Sequence, residues 1–206
     1  VYVNGQQAGR WAYGYNSFHL DVTRLVKAGQ RNTLAVRLEN LPESSRWYPG
    51  AGLYRNVHVI VTNEAHIPVW GTYITTPVVE KEFARVKVQT EIVLPEGVDP
   101  SAYQLQTTLL DPNGGTMKTL QMSLAELPYN KGKAEQEFLV HNPTLWSPDL
   151  PALYTAKSVL MKGSEQVDDY EMVFGIRSIE IIPDKGFFLN GEKTVFKGVC
   201  NHHDLG

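Results

Sequence analysis

The feature that constrains this chain most is the strict alternation of side chains over residues 84–94. The even positions carry apolar or small side chains and one threonine, while polar residues such as Arg85, Lys87 and Gln89 stand between them. Because successive side chains of a strand point to opposite faces, this period of two predicts a strand that is buried on one side. No stretch longer than a turn shows helical periodicity, so we predict an all-β chain.

Further short strands follow this one, separated by turn signals such as Pro95-Glu96-Gly97 and Asn113-Gly114-Gly115. Residues 63–70 are predicted to form a linker into this region. The spacing of the strands is typical of an immunoglobulin-like β-sandwich of about 100 residues. We therefore predict such a domain over residues 63–177, with strands at residues 103–110, 118–124, 135–140, 153–161 and 170–174.

The first 62 residues also have a pattern of strands and turns. Asn4-Gly5 after Val1–Val3 indicates a hairpin, since both residues tolerate positive φ. Alternation predicts further strands at residues 18–22, 33–39 and 57–62. These are about four or five strands, whereas a jelly roll has about eight. Residues 1–62 are thus predicted to be part of a jelly-roll sandwich that is truncated at its N-terminal side.

The last part of the chain combines a second hairpin signal with a polar cluster. Asn190-Gly191 lies between the apolar runs 187–189 and 195–199, which predicts a hairpin and then a strand. That strand would end at Asn201-His202-His203-Asp204 and deliver these side chains to the mouth of a barrel or to the edge of a sheet.

Composition excludes several classes of function. A net charge of -3, with 19 basic residues scattered along 206, provides no basic patch for nucleic acid or an anionic membrane. No apolar run approaches the roughly 20 residues of a membrane span. Cys200 is the only cysteine, so an intrachain disulfide is impossible.

Several motifs together resemble glycoside hydrolase family 2, which contains β-galactosidases, β-glucuronidases and β-mannosidases. Each motif alone is weak, but their order and the all-β spacing between them match the family along nearly the whole chain. The resembling segments are Val1–Gly5, Gly14-Tyr15, Phe18–Thr23, Ser45–Val57, Leu145–Pro148, Pro151–Tyr154, Phe174–Arg177, Phe188–Gly191 and Lys197–Asp204.

The resemblance implies a retaining exo-β-glycosidase that hydrolyses O-glycosyl bonds, with a β-galactoside as the first expected substrate and a β-glucuronide or β-mannoside as alternatives. It also implies that residues 1–62 are a sugar-binding domain and that residues 178–206 begin a catalytic (β/α)8 (TIM) barrel. Such enzymes need two carboxyl groups about 5–5.5 Å apart. In the family both lie on later barrel strands, so we expect this chain alone to be inactive and assign it no catalytic residue.

Five residues are candidates for substrate binding. By resemblance, His202 helps to bind the sugar, and His203 and Asp204 are its neighbours in the polar cluster. The alternative is that all three cap a strand end or bond one another. Arg46 and Trp47 lie in a long loop, where a ring can stack on a sugar and a guanidinium can bond hydroxyls or a carboxylate. Their alternative role is to anchor that loop.

No metal or cofactor is expected. Adjacent side chains of an extended segment point in opposite directions, so His202 and His203 could not easily share one ion. The expected partner is carbohydrate, and the complete enzyme is expected to be a homo-oligomer in the bacterial periplasm or cytoplasm. A competing hypothesis is a non-catalytic module that binds carbohydrate or assembles domains.

Overall fold

The computed structural model describes residues 1–39, 41, 52–53, 55–127 and 131–200. Within it the chain divides into two compact units, one up to Ile60 and one from Val61 onwards. The regular structure of both units is almost entirely β, which confirms the all-β prediction.

The first unit contains a small antiparallel sheet with the strand order β2-β1-β3. The predicted Asn4-Gly5 hairpin is confirmed, since Asn4 and Gly5 have φ values of 51° and 82° and Val3 pairs with Gln6. The Asn4 side chain also donates to the Leu25 carbonyl over 2.8 Å. The turn therefore connects the hairpin to a distant segment of the same unit. The strands are β1 Tyr2–Val3, β2 Gln6–Gln7 and β3 Leu34–Ala35.

Of the three further strands predicted within residues 1–62, two were wrong and one was too long. Residues 18–22 and 57–62 form no strand, and only Leu34–Ala35 of the segment 33–39 is paired. Val57, Val59 and Val61 are 62%, 83% and 89% exposed. An alternating segment becomes a strand only where another strand takes up its backbone hydrogen bonds. Among the described residues, no strand pairs with residues 18–22 or 57–62, and β1 pairs only with Leu34 and Ala35 of the third segment.

The second unit is built around two antiparallel sheets with the strand orders β4-β5-β8 and β10-β9-β6-β7. The first comprises β4 Thr72–Val79, β5 Phe83–Val93 and β8 Lys131–His141. The second comprises β6 Tyr103–Leu110, β7 Thr116–Ser123, β9 Tyr154–Lys162 and β10 Glu165–Phe174. Two 3₁₀ turns, Pro100–Ala102 and Leu124–Glu126, follow capping side chains.

Six of these seven strands were predicted, and β4 was missed. Its sequence contains Pro77, and the register with β5 shifts between Thr75 and Val78. Proline has no backbone N–H and is tolerated only at an edge or a bulge, and β4 lies at the edge of its sheet. The interruption removes the clean alternation by which the other strands are found.

The core lies between the two sheets and follows the alternation of β5. Ala84, Val86 and Val88 are fully buried, with 0% exposure, and pack with Phe138 of β8 and Leu109 of β6 in one apolar cluster. A second cluster of residues around Ile92, Leu105 and Leu160 forms the rest of the core. Burying apolar surface on both inner faces is the main stabilisation of such a sandwich.

A third small sheet follows the sandwich, with the strand order β11-β12-β13. The predicted hairpin at Asn190-Gly191 is confirmed by φ values of 52° and 80° and by pairing of Leu189 with Glu192. The predicted strand over residues 195–199 was wrong, because no strand follows Lys193 up to residue 200. The strands are β11 Ile179–Ile182, β12 Gly186–Leu189 and β13 Glu192–Lys193.

The outer face of the three-stranded sheet carries a ladder of charges. Glu135 of β8 accepts hydrogen bonds from Gln89 Nε2 at 3.0 Å and from Lys87 Nζ at 3.1 Å. The bond from Gln89, followed by the bond and charge of Lys87, lowers the pKa of the Glu135 carboxyl. The folded state therefore binds the Glu135 proton less readily than the unfolded state does. The stabilisation by these bonds is complete at pH values above the pKa of this carboxyl in the unfolded state, and it is lost as the pH falls through its pKa in the folded state.

The core assignment predicts a contrast between two neighbouring residues of β8. Phe138 is fully buried, whereas Leu139 points outward and is 48% exposed. Phe138→Ala should lower the free energy of unfolding by about 3 to 5 kcal/mol, since a cavity adds to the lost burial. Leu139→Ala should have much less effect. Urea unfolding measures both, and equal losses would contradict the two-sheet core.

The charge ladder predicts a carboxyl titration that can be followed by NMR. Gln89→Leu removes the largest cause of the lowered pKa of Glu135, so that pKa should rise towards its ordinary value. Gln121→Leu is the matched control, because Gln121 donates to the Gln106 side chain and not to a carboxylate. An unchanged Glu135 titration in Gln89→Leu would show that the hydrogen bond does not stabilise the charged form.

Candidate functional site

The candidate substrate-binding residues lie outside the part of the chain that the structure describes. Arg46 and Trp47 belong to the segment 42–51, and His202, His203 and Asp204 belong to the segment 201–206. Their predicted roles are therefore not tested by the geometry. The structure does describe the segments that lead to the polar cluster, and how they are attached to the sandwich.

Asn190 connects the hairpin of β12 and β13 to two other segments. Its backbone N–H donates to the Ser178 carbonyl over 3.0 Å, and its Oδ1 accepts from the Ser178 N–H, also over 3.0 Å. Its Nδ2 donates to the Trp146 carbonyl over 3.0 Å. One turn residue therefore holds the start of β11 and the loop before β9. We call Trp146, residues 175–178 and Asn190 the junction.

Trp146 is the second component of the junction. Its backbone N–H donates to the Ile176 carbonyl over 2.8 Å, and the Arg177 guanidinium lies 5.1 Å from the centroid of the indole ring. A cation at this distance from an indole face is attracted by the ring quadrupole. Gly175 allows the approach, since a Cβ atom there would lie 2.6 Å from the Trp146 Cβ.

The junction is attached to the core of the sandwich. Ile176 is fully buried and belongs to the apolar cluster of Phe138 and Val88. Thr76 of β4 donates its hydroxyl to the Arg177 carbonyl over 3.0 Å. The linker between the sandwich and the hairpin is thus packed and hydrogen-bonded along its length.

The chain remains in contact with the hairpin for a few residues beyond β13. The Thr194 N–H donates to the Phe187 carbonyl over 2.9 Å, and the rings of Phe187 and Phe196 lie 4.7 Å apart. Further on, Val199 is 85% exposed, and Cys200 is an exposed free thiol. The hairpin thus guides the chain as far as Phe196 and towards the predicted polar cluster.

Two surface hollows of the second unit do not form an alternative active site. The larger has a volume of about 410 Å³ and lies between β7 and β8, where His141 and Lys118 are its titratable groups. The smaller, of about 250 Å³, includes Asp168 and Asp169. Asp168 Oδ2 accepts from the Ile67 N–H over 2.7 Å, so it fixes the linker to β10. Neither hollow combines an acid, a base and a polar binding pocket.

The roles of Asn190 and Trp146 are not evident from the sequence. Asn190-Gly191 was interpreted only as a turn, although a polar turn side chain can also bond a remote backbone group. Trp146 stands 44 residues earlier in the chain. A pattern based on neighbouring residues cannot show which of two such segments will meet.

Two structural findings concern metal sites and membrane-spanning helices. Within the described ranges, no group of three or more His, Cys, Asp or Glu side chains is placed to hold a metal ion. The helical elements found there are two turns of three residues each, so this part of the chain has no helix that could cross a membrane.

Comparison with known proteins identifies the family of this chain. The family profile of glycosyl hydrolases family 2 matches residues 65–177, which is more than half of the chain. This chain therefore belongs to glycosyl hydrolases family 2, and the family prediction is confirmed.

Individual relatives cover the whole chain. A β-galactosidase of Bacteroides ovatus is 37% identical over 207 residues, which is 100% of this chain and 24% of that protein. A β-glucuronidase of Bacteroides fragilis is 30% identical over 99% of this chain and 31% of its own length. The crystal structure of a family 2 member from Bacteroides cellulosilyticus superposes with a TM-score of 0.88 and 36% identity over 98% of this chain and 28% of its own. The chain thus spans about a quarter to a third of the length of these proteins.

The geometry of the junction predicts that Asn190 holds the hairpin to the sandwich. Asn190→Gly keeps a residue that tolerates positive φ but removes both side-chain bonds. At about 0.5 to 1.5 kcal/mol for each bond, amide exchange in β11 and β12 should accelerate on the order of tenfold or more. Hydrogen exchange read by mass spectrometry measures the change.

Asn142→Gly is the matched control for this experiment. Asn142 also has a positive φ, of 47°, but its side chain makes no hydrogen bond in the described part of the chain. Exchange in β11 and β12 should be unaffected by that substitution. Equal acceleration in both variants would show that backbone flexibility, and not the Asn190 side chain, governs the hairpin.

Proposed function

We propose that this chain is the non-catalytic part of a retaining exo-β-glycosidase, which hydrolyses the terminal β-glycosidic bond of a carbohydrate. The observation that carries the proposal is membership of glycosyl hydrolases family 2, together with relatives named β-galactosidase and β-glucuronidase. In a retaining mechanism one carboxyl group protonates the leaving oxygen and a second attacks the anomeric carbon. We place both carboxyls outside this chain and assign neither role to a glutamate within it.

The proposed role of the chain is to support the active site. Three domains are proposed, as predicted from the sequence: residues 1–62 as a sugar-binding jelly roll, 63–177 as an immunoglobulin-like sandwich and 178–206 as the start of a (β/α)8 barrel. Seven strands in sheets of three and four support the second assignment. The junction supports the third, since it fixes the hairpin from which the chain continues towards His202.

We propose that His202 binds the sugar, with His203 and Asp204 beside it. Hydrogen bonds to sugar hydroxyls that strengthen as the ring distorts contribute more to the transition state than to the ground state. Arg46 and Trp47 are proposed as a second group of contacts. A ring can stack on the apolar face of a sugar, and a guanidinium can bond hydroxyls or a carboxylate.

A β-galactoside is the first substrate that we propose, and a β-glucuronide is the second. The relative with 37% identity is named a β-galactosidase, and one with 30% identity is named a β-glucuronidase. A glucuronide carries a carboxylate that needs a cationic partner, so Arg46 would matter more for that substrate. A β-mannoside is the third candidate, supported by the family resemblance alone.

The proposal is tested with a panel of aryl β-galactoside, β-glucuronide and β-mannoside. A chain extended to the length of its relatives should hydrolyse one of them selectively, and NMR should show the β-anomer as the first product. The 206-residue chain should hydrolyse none. A folded long chain that cleaves nothing, beside a short chain that still binds sugar, would favour the non-catalytic binding module.

The same assay tests His202. His202→Ala in the extended chain should lower kcat/KM roughly 100-fold, since it removes a bond that is stronger in the transition state. Binding of the product sugar should weaken much less. His66→Ala is the control, because His66 lies in the linker before β4 and its Nδ1 contacts the Glu64 carbonyl at 2.9 Å. Equal kcat/KM in His202→Ala and the parent chain would remove His202 from the site.

A further inference from the structure

The core of the sandwich is divided by a layer of polar side chains. Two apolar clusters occupy its two ends, one around Ile92 and Leu160 and the other around Phe138. Between them, five polar residues are buried in the inner faces of the two sheets. We call them the polar layer: Thr72, Thr90 and Gln136 on the three-stranded sheet, and Thr107 and Ser158 on the four-stranded sheet.

The position of the layer follows from the strand register. On β5, Thr90 stands between Ile92 of one cluster and Val88 of the other. Four strands share this order, since Gln136, Thr107 and Ser158 each lie two residues from a member of either cluster. Thr72 pairs directly with Thr90 across β4 and β5. Thr72 and Thr90 thus lie level with each other on the three-stranded sheet, as Thr107 and Ser158 do on the four-stranded sheet, and Gln136, which pairs with Val88, is diagonal to Thr90.

The two sides of the layer differ in how their hydrogen bonds are satisfied. On the four-stranded sheet, the hydroxyls of Thr107 and Ser158 bond each other over 3.1 Å. On the three-stranded sheet, the hydroxyls of Thr72 and Thr90 and both Nε2 and Oε1 of Gln136 are buried without a hydrogen-bond partner among the residues that the structure describes. Nearly all buried polar side-chain atoms in folded proteins have a partner, either protein or ordered water. Four exceptions in one place require a common explanation.

The chemistry of these groups fits water. A hydroxyl can donate and accept, and the Gln136 amide offers two N–H donors and one acceptor oxygen. Ala134 stands opposite Thr90 on β8, and Gln136 is two residues further along the same face. A glutamine side chain is long enough to reach towards such a diagonal neighbour, whereas alanine fills little of the space between. The layer contains no charged side chain that would hold an ion instead.

We propose that the polar layer is a binding site for internal water, in which at least one ordered molecule bridges Thr72, Thr90 and Gln136. Buried water typically makes about three hydrogen bonds to groups that would otherwise be unsatisfied. This inference concerns the sandwich itself and does not depend on the proposed glycosidase activity.

Such a site would fix the register of the strands. A slip by one residue turns the apolar side chains of β5 outward, and the alternation alone excludes it. A slip by two residues keeps every apolar side chain inside, so the alternation does not exclude it. That slip would, however, place Thr90 or Gln136 among apolar residues and away from the water. The polar layer distinguishes the two registers.

Magnetic relaxation dispersion of ¹⁷O and ²H in water detects internal molecules that remain bound for nanoseconds to microseconds. The 206-residue chain should show a dispersion from at least one such molecule. Thr90→Val and Gln136→Leu should each reduce that amplitude. Thr108→Val is the control, because Thr108 lies next to Thr107 on β6 and bonds the exposed Thr119 hydroxyl over 2.9 Å.

The urea concentration at the midpoint of unfolding provides a second test, because the two explanations predict shifts in opposite directions. If water bonds the Thr90 hydroxyl, Thr90→Val removes a partner from that water and the midpoint should fall. If the hydroxyl is buried without any partner, its removal relieves a penalty and the midpoint should rise. A raised midpoint, no dispersion in the parent chain, or an amplitude unchanged in both variants would each overturn the proposal. If one variant does not fold, the other variant and the parent chain still decide.

Discussion

The pairing of β5 with both of its neighbours is the interaction on which the rest of the second unit depends. All eleven residues of this strand pair with β8, and six of them also pair with β4. A central strand of this length fixes which side chains face inward, because its own alternation is matched by both partners. Ile92 and Val86 can therefore lie in different apolar clusters while Thr90 lies between them. The four-stranded sheet packs against the inner face of the three-stranded sheet, and the register of β5 determines which side chains that face presents.

The two Asn-Gly turns show that one dipeptide can serve two purposes. At both turns, asparagine and glycine take up the positive φ values that a tight hairpin requires. Each asparagine side chain also bonds a carbonyl outside its own hairpin, of Leu25 from Asn4 and of Trp146 from Asn190. The turn conformation exposes a short polar side chain with both a donor and an acceptor, and tertiary structure uses it as an anchor. Replacement by Gly-Gly would preserve the turns and lose the anchors.

The sequence was sufficient to predict strands whose signal lies in their own residues. It was insufficient where a strand or a contact depends on a distant partner segment. β5 and β6 were predicted because their own alternation records one buried face. β4 was missed because Pro77 interrupts its pattern. Residues 57–62 and 195–199 alternate or are apolar, yet neither forms a strand, since a ladder needs a second strand that no local pattern specifies. The candidate residue His202 came from family resemblance, and the described geometry leaves it as a prediction. Asn190 was found only from its tertiary contacts.

The junction connects the core to the predicted site through contacts of different kinds. Ile176 contributes apolar burial, Arg177 a cation over the Trp146 ring, and Asn190 three hydrogen bonds. Each bond alone contributes about 1 kcal/mol, which would leave the hairpin free to detach often. Because these contacts all involve a single linker of four residues or its partners, together they restrain its position more than any one bond would. Precise placement of a binding residue requires rigid support beneath it. If His202 binds the sugar as proposed, these contacts would position its segment without contributing a catalytic group.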